Sequence, residues 1–342
     1  MARTQTDLSP QLIRGIMSYF DTAAPSLSKS RLQPDVDLTA SPTVDLKSIS
    51  CISWKWRLIV LRTLFKHVRI ILKQDGVSGW TLQVEAMLRF LRKSEIASGV
   101  ESFTMVFTTR EDGRSLPNKR LPSDSVDNLF RSAFKTIDPS CLTVFAPSDT
   151  LGLLTSCSLH RPVFDHYHMP HHILSLTTSS FTDAPYTPEP KPSIFSIRPW
   201  SRILLNEGSF IRAYSICGFP FTDTDPPSIL QDLVSINSRT NKFVLPFHVR
   251  EFFYIAIFPF SFHFRLLGNL LSRLRKLNIQ LIPRSDITPD PGQTAQAQIL
   301  DMMQERDSCY ECLMQWILNP ETAPSHRYLC EVECRDGDID PA

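Results

Sequence analysis

Amphipathic helical windows alternate with short apolar runs along most of this chain, and that alternation restricts the fold more than any single motif. Val84, Met87, Leu88 and Leu91 share one helical face. Val126, Leu129, Phe130, Ala133, Phe134 and Ile137 form a second set over three turns, and Leu267, Leu270, Leu271 and Leu274 a third. Between such windows lie HVRIIL from His67, SFTMVF from Ser102 and CLTVFA from Cys141. FIRAYSI from Phe210, FYIAIF from Phe253 and KLNIQLI from Lys276 continue the series. These short, largely apolar runs read as strands. Helical windows between them favour parallel strands joined by crossovers, so the expected class is α/β.

A leucine-rich-repeat signature, LxxLxL, is matched at Val100-Phe103-Met105, Ile211-Tyr214-Ile216, Phe252-Ile255-Ile257 and Leu274-Leu277-Ile279. The spacings between matches exceed the roughly 20–29 residues of a regular repeat. An irregular, leucine-rich-repeat-like α/β solenoid is therefore expected over residues 71–300, with a compact α+β domain as the alternative. Residues 301–342 read as a C-terminal helix, MMQERDSCYECLMQWILN, and a loose tail. Pro-rich breaks at 183–199 and 284–293 read as loops.

Of 342 residues, 42% are apolar and 21% charged, which supports a folded core, while a net charge of +1 offers no field for nucleic acid or an anionic membrane. Eleven glycines against 26 prolines leave little material for phosphate loops, and no GxGxxG, HExxH or GxSxG occurs. The start, MARTQTDLSP, carries no signal-like apolar stretch. The greasiest run, Phe252 to Phe264, is too short to span a bilayer and reads as a strand entering a helix. Eight cysteines without a leader suggest free thiols in a reducing compartment, cytoplasmic or nuclear.

The N-terminal segment carries more apolar surface than its own domain needs. LSPQLIRGIMSYF begins with Ser9 as an N-cap, Pro10 at the first helical position, and Leu8 and Ile13 placed for a hydrophobic staple. Residues 22–44, with Pro25, Pro34 and Pro42 among Ser, Thr and Asp, read as a mobile loop. From Asp45 one helical stripe is expected through Leu46, Ile49, Ser53, Trp56 and Val60, widened by Ile52 and Ile59.

Joined across that loop, residues 7–70 resemble an F-box. Leu8, Pro10, Leu12, Ile13, Ile16, Met17 and Phe20 match its first half. Asp45, Leu46, Ile49, Ile52, Ser53, Trp56 and Arg57 match its second. Ser9, Gln11 and Trp54 stand where the family usually has proline, glutamate and lysine. The remainder has the general look of the divergent repeat-like F-box proteins of filamentous fungi. The resemblance implies a helical module that docks onto a Skp-type adaptor and through it a cullin, making the chain a substrate-recognition subunit of an SCF-type ubiquitin ligase. The alternative is an F-box-like scaffold that delivers no ubiquitin. The adaptor face is expected at Leu8, Pro10, Leu12, Ile13, Ile16, Leu46, Ile49 and Ile52, with Trp56 at the module's centre. The C-terminal domain is expected to hold an unknown protein substrate, with no catalytic residue and no cofactor.

Other chemistry is sparsely signalled. Cys309-x2-Cys312 and Cys330-x3-Cys334 have the spacing of a zinc site, but the first pair lies in a helical pattern rather than a knuckle turn, so no metal is expected. HRPVFDHYHMPHH, residues 160–172, concentrates five of nine histidines and reads as a polar surface loop. Cys51 reads as core. Loops 108–123, 160–172 and 181–200 are the expected recognition surfaces.

Overall fold

The computed structural model describes residues 9–40, 43–73, 77–108, 123–157, 169, 171–178, 194–215, 226–237, 242–282, 299–318 and 328–336. The chain opens with α1 (Pro10–Ser18), α2 (Pro25–Ser28), a 3-10 turn (Val36–Thr39), α3 (Val44–Ser50) and α4 (Trp54–Leu64). Then β1 (His67–Leu72), α5 (Val77–Lys93), β2 (Ser102–Phe107), α6 (Ser123–Thr136), β3 (Cys141–Ala146) and α7 (Ser148–Thr155) alternate. There follow β4 (His172–Thr177), β5 (Arg202–Ser209), α8 (Leu230–Val234) and a small hairpin of β6 (Ile236–Asn237) and β7 (Lys242–Phe243). The chain continues with β8 (Glu251–Ile257), α9 (Ser261–Phe264), a 3-10 stretch (Arg265–Leu270) and β9 (Lys276–Gln280). It ends with α10 (Ile299–Leu318) and β10 (Glu331–Cys334).

The fold is mixed α/β around one eight-stranded sheet of order β1-β2-β3-β4-β5-β8-β9-β10. Neighbours pair in parallel except β4, which runs against both β3 and β5. The register aligns the strand starts: His67 opposes Ser102, Ser102 opposes Cys141, Arg202 opposes Glu251 and Glu251 opposes Lys276. Because side chains alternate along a strand, this alignment sorts rows onto opposite faces. Phe103, Leu142, Leu176, Ile203, Phe252 and Leu277 point into the main core. There they meet buried residues of α5, α6, α7, α8, α9 and α10 such as Leu88, Phe130, Leu154, Leu233, Phe264 and Leu313. Trp80 of α5 is fully buried against Phe107, and its indole N–H donates to the Lys73 carbonyl at 2.9 Å.

On the opposite face lies a second apolar cluster of Val106, Phe145, Ile173, Leu204, Phe253 and Ile255. Residues 30–39 run across it as a strap, so the expected mobile loop over 22–44 is corrected for its described part. Asn206 is buried and donates from its side chain to the carbonyls of Ser30 and Leu32 at 2.9 and 2.8 Å. Arg69 donates to the Thr39 hydroxyl at 2.8 Å and the Val36 carbonyl at 3.0 Å. Polar side chains of the sheet thus supply hydrogen bonds to carbonyls of an irregular, partly buried segment.

Four further expectations change. The stripe expected from Leu46 through Val60 is broken at Cys51–Ser53 into two helices. Ser53 recaps the second, accepting from the Trp56 N–H at 3.4 Å. FIRAYSI forms a 3-10 turn (Ile211–Ser215), not a strand, and the helix expected at 267–274 is largely 3-10. The tail beyond α10 is not loose throughout, because β10 joins the sheet beside β9. Asp336 fastens it there, accepting from the Leu281 and Ile282 N–H groups at 2.7 and 2.8 Å. No helix among the described residues is long and apolar enough to cross a membrane.

Candidate functional site

The N-terminal helices form a small module with its own core. α4 packs against both α1 and α3. Ile13, Met17, Leu46 and Val60 close the centre, with Ile16, Phe20, Ile49, Trp56, Ile59 and Leu64 packed around them. Ser9 caps α1 as its sequence predicts, its hydroxyl accepting from the Leu12 N–H at 3.2 Å.

The eight residues expected on an outward face divide. Pro10, Leu12 and Ile52 are exposed, Leu12 at 52% and Ile52 at 62%. Ile16 and Ile49 are half-buried. Ile13 and Leu46 are corrected: they point into the module's own centre, Ile13 retaining 1% of its surface. Helical spacing places Ile13 with Met17, one turn on, and both turn toward α4. Leu8 lies outside the described residues. Trp56, expected at the module's centre, is half-buried and packs against that centre from outside. Cys51, expected in the core, is exposed.

Three outward side chains were not in that expectation. Trp54 is 72% exposed, Leu58 one turn on is exposed too, and Val44 opens α3 in solvent. The i, i+4 spacing of Trp54 and Leu58 was readable, and it sets them on the same side of α4. A tryptophan in solvent at a helix start is an unusual use of the largest apolar side chain.

The module is joined stiffly to the sheet. Val60 belongs to the module's core and Leu61, the next residue, to the main core, while Leu64 packs against both. Lys66, between α4 and β1, lies 2.7 Å from Asp21 and 3.5 Å from Glu101. Its hydrogen bond to Asp21, opposed by some burial, raises the ammonium pKa.

A second constellation is buried between the sheet and its helices. A bulge between Asn206 and Gly208 of β5 turns Glu207 into the core, where it is fully enclosed. Its Oε2 accepts from the Tyr254 hydroxyl at 2.8 Å and lies 2.9 Å from His263 Nε2; its Oε1 accepts from Ser228. Burial pushes the Glu207 carboxyl up, but His263 and His172 and the Ser228 hydroxyl together carry the net direction down. Burial and then the Glu207 charge push Tyr254 well up. His172, on β4, is fully buried, and burial holds it below its ordinary value. The expected surface loop over 160–172 is thereby corrected for His171 and His172; positions 160–168 and 170 lie outside the described residues. Glu207 was missed because one carboxylate in RILLNEGS has no local partner to mark it. The cluster surrounds a buried carboxylate with hydrogen-bond partners.

Cys309 and Cys312 are buried on α10, whereas Cys330 and Cys334 are exposed beside and within β10. Among the described residues no group of three or more His, Cys, Asp or Glu side chains is placed to hold a metal ion. Of the expected recognition loops, 109–122 and 181–193 lie outside the described residues, while 194–200 includes the fully buried Trp200. Compared with protein-family models, with characterised proteins and with solved structures, the chain matches none.

Proposed function

We propose that the chain is an adaptor-docking receptor of an SCF-type ubiquitin ligase, binding a Skp-type adaptor through its three-helix module and a target protein through its α/β body. One observation carries the reading. The module closes a complete core on Ile13, Met17, Leu46 and Val60, yet keeps Leu12, Ile52, Trp54 and Leu58 in solvent. A module that only covered its own interior has no use for those four, whereas apolar helical anchors entering a partner's groove do. The F-box resemblance of residues 7–70 names the kind of groove.

Two features support the body's role. Consecutive large strands are spatial neighbours throughout the sheet, and the helices that enter the main core do so on one face. That order supports reading the body as an irregular repeat-like solenoid rather than a doubly wound sheet. The shared helix α4 fixes the module relative to the sheet, as a receptor that acts by position requires. Its own chemistry is then placement of a target lysine near a conjugating enzyme, with no catalytic residue in this chain.

The test is capture of a recombinant Skp-type adaptor by the full chain. Wild type is expected to bind, and Leu12→Ala/Trp54→Ala to lose about 2 kcal/mol or more, roughly thirtyfold in affinity. Absence of wild-type binding sinks the reading. Adaptor capture without a cullin in the same eluate favours a scaffold that does not ubiquitylate.

A further inference from the structure

The apolar side chains that the module leaves in solvent do not stand on a neutral surface. Three of them are each followed one helical turn on by an exposed cation: Val44 by Lys47 on α3, and Trp54 by Arg57 and Leu58 by Arg62 on α4. Residues three or four apart are neighbours on a helix surface, so these charges border the apolar positions. Across α1, α3 and α4 the cations are Arg14, Lys47, Lys55, Arg57 and Arg62, against the single anion Asp45. The chain as a whole is balanced, with 36 basic and 35 acidic residues. The positive charge is therefore gathered on the module.

Helix stability does not account for all of it. Arg62 lies in the last turn of α4, where a cation complements the helix dipole. Lys55 and Arg57 lie in its first turn, which holds no acid, although the dipole favours acids there. Nor do ion pairs within the chain account for it: among the described residues Lys47, Arg57 and Arg62 pair with no carboxylate. A local preference overridden beside exposed apolar anchors is the mark of a surface shaped for a partner.

We propose that the module's docking face is matched to an apolar groove rimmed by carboxylates: Lys47, Arg57 and Arg62 steer an acidic partner onto it, and Leu12, Ile52, Trp54 and Leu58 hold it there. The proposal rests on the receptor reading and adds the charge of the adaptor's rim. The division of work follows from range. Exposed charges act over a Debye length, about 8 Å at physiological salt, and speed encounter, whereas apolar anchors act in contact and slow departure. The anchors come from α1, the α3–α4 turn and α4. That spread suits a shaped protein groove better than the flat stripe of a membrane-surface helix.

The test measures association and dissociation rates of the full chain with a recombinant Skp-type adaptor at about 0.1 M and about 1 M salt. Wild type is expected to associate about tenfold more slowly at the higher salt, with dissociation little changed. Arg57→Glu/Arg62→Glu is expected to associate about tenfold more slowly than wild type at the lower salt and to match it at the higher, while Leu12→Ala/Trp54→Ala acts chiefly on dissociation. Urea unfolding of each variant checks that it folds; if the Glu variant does not, Arg57→Gln/Arg62→Gln carries the same arms with an effect of about threefold. Wild-type association that ignores both salt and these substitutions overturns the steering proposal and leaves the receptor reading standing. No wild-type binding at either salt sinks the receptor reading and the proposal with it. Sedimentation with phosphatidylserine vesicles is the last arm. Wild type is expected to stay in solution, and capture by the vesicles that the arginine substitutions abolish overturns the assignment to a protein groove.

Discussion

Glu207→Ala removes the acceptor on which three buried groups converge. The Tyr254 hydroxyl, His263 Nε2 and the Ser228 hydroxyl all lose their partner in a place with no solvent to replace it. Leaving a buried polar group without its partner costs about 1–3 kcal/mol, so losing the shared acceptor is expected to cost about 3–5 kcal/mol in all. Tyr254→Phe keeps the ring and removes a single donor to the carboxylate, so about 1.5–3 kcal/mol is expected. Urea unfolding of the full chain, followed by near-UV signal, measures both as shifts of midpoint at unchanged slope. Against a typical total of about 5–15 kcal/mol, the alanine variant loses a large share. The sign with pH follows from the depressed carboxyl. Its stabilisation is present above the unfolded value of 4.5 and is lost as pH falls through the lower folded value, so wild type and variant converge in acid. A Glu207→Ala variant within about 0.5 kcal/mol of wild type refutes the argument, as does one less destabilised than Tyr254→Phe.

Two further outcomes test the other assignments. Met17→Ala, in the module's core, is expected to cost about 2–5 kcal/mol, while Leu12→Ala stays within about 0.5 kcal/mol of wild type by thermal or urea unfolding; the reverse order would exchange the module's inside and outside. Burial, then the neighbouring His172, lowers the His171 imidazole from 6.5 to about 4, so the unfolded chain takes up a proton the folded one refuses, and stability falls as pH drops through that window, by at most about 1.4 kcal/mol per unit. His171→Phe, which keeps an aromatic ring on Phe145, is expected to flatten that part of the stability profile; an unchanged profile counts against a buried neutral His171.

Much of the architecture was legible because local pattern and tertiary demand agreed. β2, β3 and β8 are largely apolar runs, and β1 and β9 carry apolar residues at most or at alternate positions. Such runs suit strands of a largely parallel sheet covered on both sides. Ser9-Pro10 set the start of α1, and the periodic sets of α5 and α6 set their buried faces. Two of the strands outside the expected set, β5 and β10, lack that agreement, while β4, HILSLT, is a largely apolar run whose start at His172 was expected in a polar loop. β10, EVEC, is a short edge strand exposed enough to be polar. β5 carries Asn206, Glu207 and Gly208 at its bulge, and those residues read locally as a turn. The outward positions Leu12 and Ile52 could be expected from surplus apolar surface, whereas Ile13 and Leu46 could not be told from them until α4 was in place.

From sequence alone came α1 with its Ser9 cap, α5, α6, α10 and the strands β1, β2, β3, β8 and β9, because helical and strand periods are properties of neighbouring residues. The tertiary structure decided the reversed direction of β4, the seating of residues 30–39 on the sheet and the enclosure of Glu207 by Ser228, Tyr254 and His263. Each of these brings together residues far apart along the chain, and no local period records which distant side chain completes a contact.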